Sequence, residues 1–205
     1  MATSASASLP ADFAARALVM TELPAGQLWR RLYLTRYADP LGFGYGSSRF
    51  SDPDTTASDR FGVVYFGSTV KVCFVEAILR DRGDGRIGSF PLPIAELEQW
   101  TCATIETADN LRLADLRMDN SIRMGIPSGV MRNDNHQLGQ LWSRALFGHS
   151  EKPDGVIYDT RLNRETNIAV YNRALGKMRA LDTSRLLDCK RDLAKILDEL
   201  DIALV

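Results

Sequence analysis

The run Val72-Cys73-Phe74-Val75-Glu76-Ala77-Ile78-Leu79 is apolar at every position but one. A segment of that composition has to be covered over most of its surface, so the rest of the chain must fold around it. Glu76 is the exception. An ionised carboxylate resists burial unless a cation or several hydrogen bonds hold it. Three readings are open: an ion pair with Arg80 one helical turn on, a view of bulk water, or a chemical task. The residues just before it, Gly62-Val63-Val64-Tyr65-Phe66-Gly67-Ser68-Thr69, read as a short strand over 62–66 followed by a hydroxyl N-cap at Ser68 or Thr69. The spacing then predicts a helix over 70–81, stopped by Asp81-Arg82-Gly83-Asp84-Gly85.

The rest of the chain supplies mixed elements. Alanine-rich Pro10 to Met20 reads as a short helix ended by Leu23-Pro24-Ala25-Gly26, and Gln27 to Leu34 as a strand. Residues 38 to 61 are rich in Gly, Ser, Asp and Pro, a long loop of the kind that often carries function. Further strands are expected near Ile87 to Pro91, Cys102 to Glu106, Leu111 to Leu116, Asp154 to Tyr158 and Ile168 to Tyr171, with a short helix over Ile94 to Trp100. Leu138, Leu141, Trp142, Ala145 and Leu146 give Asn135 to Phe147 one apolar helical face, and Ser184 to Leu200 reads as an amphipathic helix packed on its own domain. Strands and helices without regular βαβ alternation indicate a single α+β domain over 11–205, with residues 1–10 as a disordered tail.

Composition narrows the function. The chain has 205 residues and a net charge of −1, which argues against a strongly basic nucleic-acid footprint, so no direct nucleic-acid binding is expected. No apolar stretch approaches the roughly 18 residues of a membrane span, and the N-terminus has neither a basic nor an apolar signal region. Cys73, Cys102 and Cys189 are scattered and read as reduced thiols of a cytoplasmic protein. His136 and His149 lack companions at ligand spacing, so no metal is expected, and His136 reads as a helix-surface residue. Gly83-Asp84-Gly85-Arg86-Ile87-Gly88 matches the dinucleotide fingerprint in letters but follows a helix, so it reads as a turn.

Four segments in order carry a resemblance: Leu28-Trp29-Arg30-Arg31; Gly46-Ser47-Ser48-Arg49-Phe50; Gly62-Val63-Val64-Tyr65 with Glu76-Ala77; and Asp154-Gly155-Val156-Ile157-Tyr158-Asp159-Thr160-Arg161 with Asn167-Ile168-Ala169-Val170-Tyr171. Over about residues 28 to 172 the chain resembles the RES-domain family, the toxins of bacterial RES–Xre toxin–antitoxin pairs. The resemblance implies a compact ADP-ribosyltransferase-like mixed β-sheet core flanked by helices, and NAD as the molecule consumed. It implies cleavage of the nicotinamide–ribose bond by hydrolysis or phosphorolysis, or transfer of ADP-ribose to a protein acceptor. It also implies a helix-turn-helix (Xre-type) antitoxin as partner, with a homodimer left open.

Carried onto this sequence, the family glutamate falls on Glu76, its arginines on Arg30 and Arg49 (with Arg31 as the register alternative), and its strand tyrosine on Tyr65. The family serine falls on Thr160, a departure that keeps the hydroxyl, with Asp159 adding a negative charge beside it. The residue types suit the chemistry. Guanidinium groups bind a diphosphate through paired, charge-assisted hydrogen bonds, Tyr65 offers a face to nicotinamide, and Thr160 offers a hydrogen bond to phosphate or ribose. A carboxylate stabilises the oxocarbenium-like state formed as nicotinamide leaves. A protein mono-ADP-ribosyltransferase and an inactive RES-like binding module are the rival expectations.

Overall fold

The structure, a computed structural model, describes residues 9–56, 58–80, 82 and 88–205. Residues 83–87 of the turn expected over 83–88 and the first eight residues of the expected tail lie outside them. Ten strands are described: β1 Met20–Leu23, β2 Leu28–Leu34, β3 Val63–Gly67, β4 Phe90–Leu92, β5 Trp100–Thr107, β6 Leu111–Asp115, β7 Gly155–Asp159, β8 Thr166–Tyr171, β9 Met178–Arg185 and β10 Ile202–Leu204. The α-helices are α1 Val70–Phe74, α2 Ile94–Leu97, α3 Asn120–Arg123, α4 Gly129–Arg132, α5 Gln137–Phe147 and α6 Lys190–Glu199.

Eight strands form one mixed sheet in the order β1-β6-β7-β8-β3-β2-β5-β9, and β10 and β4 form a separate parallel pair. Only β6 and β7 run parallel within the large sheet; its other neighbours are antiparallel. The alternation of side chains along each strand sorts the core into three clusters. Trp29, Tyr33, Val64, Phe66, Ile105, Ile157, Ile168 and Val170 meet on one face, where distant strands of the curled sheet face each other. On the other face, Tyr158 and Ala169 pack with Trp142 and Leu146 of α5, while Leu32 and Cys102 pack with α1, α2 and α6. Burying Leu193 and Ile196 of α6 in that last cluster contributes about 1.5–3 kcal/mol each.

The seam of the sheet lies between β2 and β3. They share a single registered pair, Arg30 with Gly67, whereas β3 pairs with β8 over its whole length. Gly67 is required there. A Cβ at this position would lie 2.2 Å from Val72 Cγ1 and 2.7 Å from Cys73 Sγ, so only glycine lets α1 sit down on the strand.

The apolar run folds as expected at its start. The Thr69 hydroxyl caps α1 by accepting from Val72 N–H at 3.1 Å, an interaction worth about 1 kcal/mol. The helix then widens into one π-helical turn over Val75–Leu79, closed by Arg80 N–H donating to Val75 O at 2.7 Å. Single π turns inside α-helices recur at functional sites. Arg80 ends the turn at positive φ, 49° with ψ −129°, a sparsely populated conformation that costs a non-glycine residue about 1–3 kcal/mol.

Three expected elements are corrected. Pro10 to Met20 is not a helix: one 3-10 turn, Phe13–Ala15, precedes β1, because Met20–Leu23 gains a full antiparallel register with Ala114–Leu111. The C-terminal helix starts at Lys190, since Ser184 and Arg185 belong to β9, which pairs with β5. Ile87 lies outside the described residues, and the strand expected near it is described over Phe90–Leu92, held by Ile202–Leu204. No helix among the described residues is long and apolar enough to cross a membrane.

Candidate active site

On the outer face of the sheet, α5 covers one half and α1 with α6 the other. Between them lies a cleft of about 490 Å³ over β3. Its walls come from both clusters: Tyr65 and Tyr158 on one side, Leu32 and Cys73 on the other. Cys73, Glu76, Ala77 and Arg80 all line it, at the i, i+3, i+4, i+7 spacing of one helical face.

Glu76 is half-buried on the cleft wall, and its Oε1 accepts the hydroxyl proton of Thr160. No ion pair joins it to Arg80 among the described residues, so the carboxylate is not consumed by the helix-surface pairing that the spacing allowed. Thr160 is 2 % exposed and does not line the cleft. Its hydroxyl also accepts Leu162 N–H at 3.2 Å, which orients the hydroxyl proton toward Glu76. The hydroxyl expected to meet phosphate or ribose is bonded here to the carboxylate. A second tie secures the same loop: Thr69 donates to Glu165 Oε2 at 2.6 Å. Asp159 accepts from Thr166 Oγ1 at 3.4 Å and is not among the lining residues, so its charge does not enter the cleft wall.

Tyr65 lies where the strand places it, with its hydroxyl bonded to Ser48 Oγ and accepting Phe50 N–H, both at 2.8 Å. Burial pushes its phenol up to about 12, against the opposing effect of those bonds. The same bonds fix the 46–51 segment against β3. Gln140 of α5 holds it from the other side, donating to Ser47 Oγ at 2.9 Å and Ser48 O at 3.0 Å. Arg49 lines the cleft and donates through Nη1 to Asn133 O at 2.8 Å and Val130 O at 3.3 Å. Both bonds use one nitrogen, which leaves Nη2 and Nε without a partner among the described residues.

Arg30 is placed differently from the expectation. It shares a strand face with Leu32, but its guanidinium donates to Thr104 Oγ1 of β5 and is not among the lining groups. Arg31, the register alternative, donates to Pro40 O and to Gly42 O, the latter at 2.8 Å, and so anchors the long loop.

Several lining residues were not anticipated. Arg80, Arg161 and His136 join Arg49 in the cleft wall, and Arg161 pairs with the exposed Asp134 at 3.0 Å. His136 is half-buried in this wall, which corrects its reading as a plain helix-surface residue. Burial, and then Arg49, Arg80 and Arg161, lower its pKa, with Asp134 opposing. Tyr158 is 6 % exposed, lines the cleft, and has no hydrogen-bond partner for its hydroxyl among the described residues. Burial, then Tyr65 and Glu76, push its pKa well above the usual phenol value, so it stays a neutral donor. Burial likewise pushes the Cys73 thiol up to about 12, which makes it a wall residue with no thiolate chemistry.

The arrangement joins the Glu76 carboxylate fixed by Thr160, the neutral phenol of Tyr158 and a group of cations that suit an anionic ligand. Comparison with known proteins agrees with the sequence motifs. The profile of the RES domain matches residues 27–192. A curated protein of Sinorhizobium fredii, named Probable toxin y4kH, is 48% identical over 127 residues, which is 62% of this chain and 100% of that protein. A chain in the crystal structure of the M. tuberculosis MbcT-MbcA toxin-antitoxin complex has the same fold, with a TM-score of 0.61 at 16% identity, covering 84% of this chain and 92% of that one.

Proposed function

The chain belongs to the RES-domain family, and from that membership and the cleft we propose that it is the toxin of a toxin–antitoxin pair and consumes NAD by cleaving the nicotinamide–ribose bond. The observation that carries the chemistry is the Glu76 carboxylate, held on the cleft wall by Thr160 in a cleft lined also by Arg49, Arg80 and Arg161. NAD has the matching features: a diphosphate for the cations, a flat ring for Tyr65, and a sugar whose cleavage develops positive charge.

In this reading the arginines hold the diphosphate and place the nicotinamide ribose against Glu76. Arg49 contributes through the nitrogens its carbonyl partners leave open. Arg30 reaches the ligand only by releasing Thr104. As the C–N bond breaks, its electron pair goes to the nicotinamide nitrogen, which leaves neutral and needs no strong general acid. Glu76 stabilises the positive charge left on the ribose, and Tyr158 offers a neutral hydrogen bond to the bound ligand. The oxygen of water or phosphate then bonds to the anomeric carbon. With water, its proton is released and the products are nicotinamide and ADP-ribose. An antitoxin protein of helix-turn-helix type is the proposed partner.

Release of nicotinamide from NAD, with and without phosphate, tests the reading. Wild-type protein is expected to release it, and Glu76→Ala to do so roughly 100-fold or more slowly. Equal rates overturn the role of Glu76, and no release by either protein overturns the NAD reading. Labelled ADP-ribose appearing on protein would move the conclusion to group transfer.

A further inference from the structure

His136 is a neutral imidazole set among cations, and nothing in its surroundings uses it. It lines the cleft half-buried, with neither ring nitrogen hydrogen-bonded among the described residues. The charged groups around it come from every wall. Arg49 is on the 46–51 segment, Arg80 on the end of the π turn, Arg161 on the loop after β7, and Asp134 two residues before it. Glu76 lies on the helix wall of the same cleft, and the phenols of Tyr65 and Tyr158 stay neutral.

We propose that His136 is part of the anion-binding subsite and takes up a proton when a diphosphate binds, so that it becomes a further cation on the ligand. This rests on the NAD reading for the identity of the diphosphate, but not for the proton uptake. The physical argument is linkage. In the free protein, burial and three nearby guanidinium groups disfavour the imidazolium. A bound diphosphate brings two negative charges against that field and offers acceptor oxygens, so the imidazolium is less disfavoured in the complex. A group that binds its proton more tightly in the complex makes ligand affinity rise as pH falls. The free-protein imidazole titrates below the ordinary 6.5, so affinity rises as pH falls through the pKa of the complex toward that lower value, and is followed from about pH 8 to about pH 5.5.

ADP-ribose is the probe, because each of its phosphates carries one charge throughout that window. Its affinity for wild-type protein is expected to rise about tenfold from about pH 8 to about pH 5.5, the equivalent of one pKa unit of difference between free and bound protein. In His136→Asn that slope disappears; the slope, not the absolute affinity, is the readout. Equal slopes in the two proteins overturn the inference and leave the NAD reading standing. A second measurement on the wild-type chain guards against a misfolded variant. The two histidines, told apart with His136→Asn or His149→Asn, are titrated by NMR with and without ligand. The His136 titration is expected to move up on adding ADP-ribose, and an unmoved titration overturns the inference. If ADP-ribose binds at no pH, the same titration with inorganic sulfate decides the matter: an upward shift supports the subsite, and none overturns it.

Discussion

Thr160→Val is the perturbation that separates the site as built from the site as a list of residues. The change keeps the size and β-branching of a side chain that is 2 % exposed, and deletes one hydroxyl. That hydroxyl donates to Glu76 Oε1 and accepts from Leu162 N–H. A hydrogen bond to a charged group is worth about 1.5–3 kcal/mol. If the whole of it serves to hold the carboxylate in place for the transition state, its loss slows the chemical step by roughly 10- to 150-fold at 1.36 kcal/mol per decade. The fall should appear in kcat for nicotinamide release, with KM nearly unchanged, because the hydroxyl does not line the cleft. Stripping Leu162 N–H of its partner should also cost about 1–3 kcal/mol of stability, read as a shift in the urea midpoint. Thr160→Ser, which restores the hydroxyl, should recover most of both. A folded Thr160→Val protein with wild-type kcat would refute the reasoning, as would a Ser variant no better than Val.

Arg49→Ala should raise KM for NAD roughly 10- to 100-fold with a smaller change in kcat, since in the proposed reading the guanidinium holds the diphosphate and not the reacting carbon; an unchanged KM would remove Arg49 from the subsite. Gly67→Ala should lower Tm by an amount equivalent to about 1–3 kcal/mol, because the new Cβ meets Val72 Cγ1 at 2.2 Å and Cys73 Sγ at 2.7 Å; calorimetry with no shift would mean that α1 moves freely on the strand. Burial works to raise the Asp115 pKa, but hydrogen bonds from Arg117 and Thr21 outweigh it and leave the pKa lowered. Its contribution to stability is therefore present above the ordinary value of 3.8 and lost as pH falls through the lowered one. Asp115→Asn should accordingly be less stable than wild type near neutral pH by about 1–3 kcal/mol, with the gap closing in acid, and a gap that persists there would contradict the assignment.

Much of the fold is legible in the sequence where local pattern and burial agree. The strand at Val63, its Thr69 cap and the apolar helix after it follow one another as the residues require, and α5 shows its buried Trp142 and Leu146 at helical spacing. The misreadings fall where long-range pairing overrides local preference. Met20–Leu23 joins the sheet only because β6, about ninety residues on, offers it a register. Most of β9 shows half-buried or exposed side chains, so its sequence lacks the alternation that marks a strand.

The site divides in the same way. The sequence by itself determined that Glu76 stands alone in an apolar run, that a hydroxyl is retained at position 160, and that Arg49 and Tyr65 carry family motifs. Only the tertiary structure decided what each side chain meets. Thr160 turned out to hold Glu76, Arg30 to be bonded across the sheet to Thr104, and Arg80, Arg161, His136 and Tyr158 to share the cleft with Arg49. Local sequence fixes periodicity and caps, because those depend on residues a few positions apart. The cleft is where segments distant in the chain converge at the seam between β2 and β3, and that convergence is set by strand register and by the close seating of α1 on Gly67.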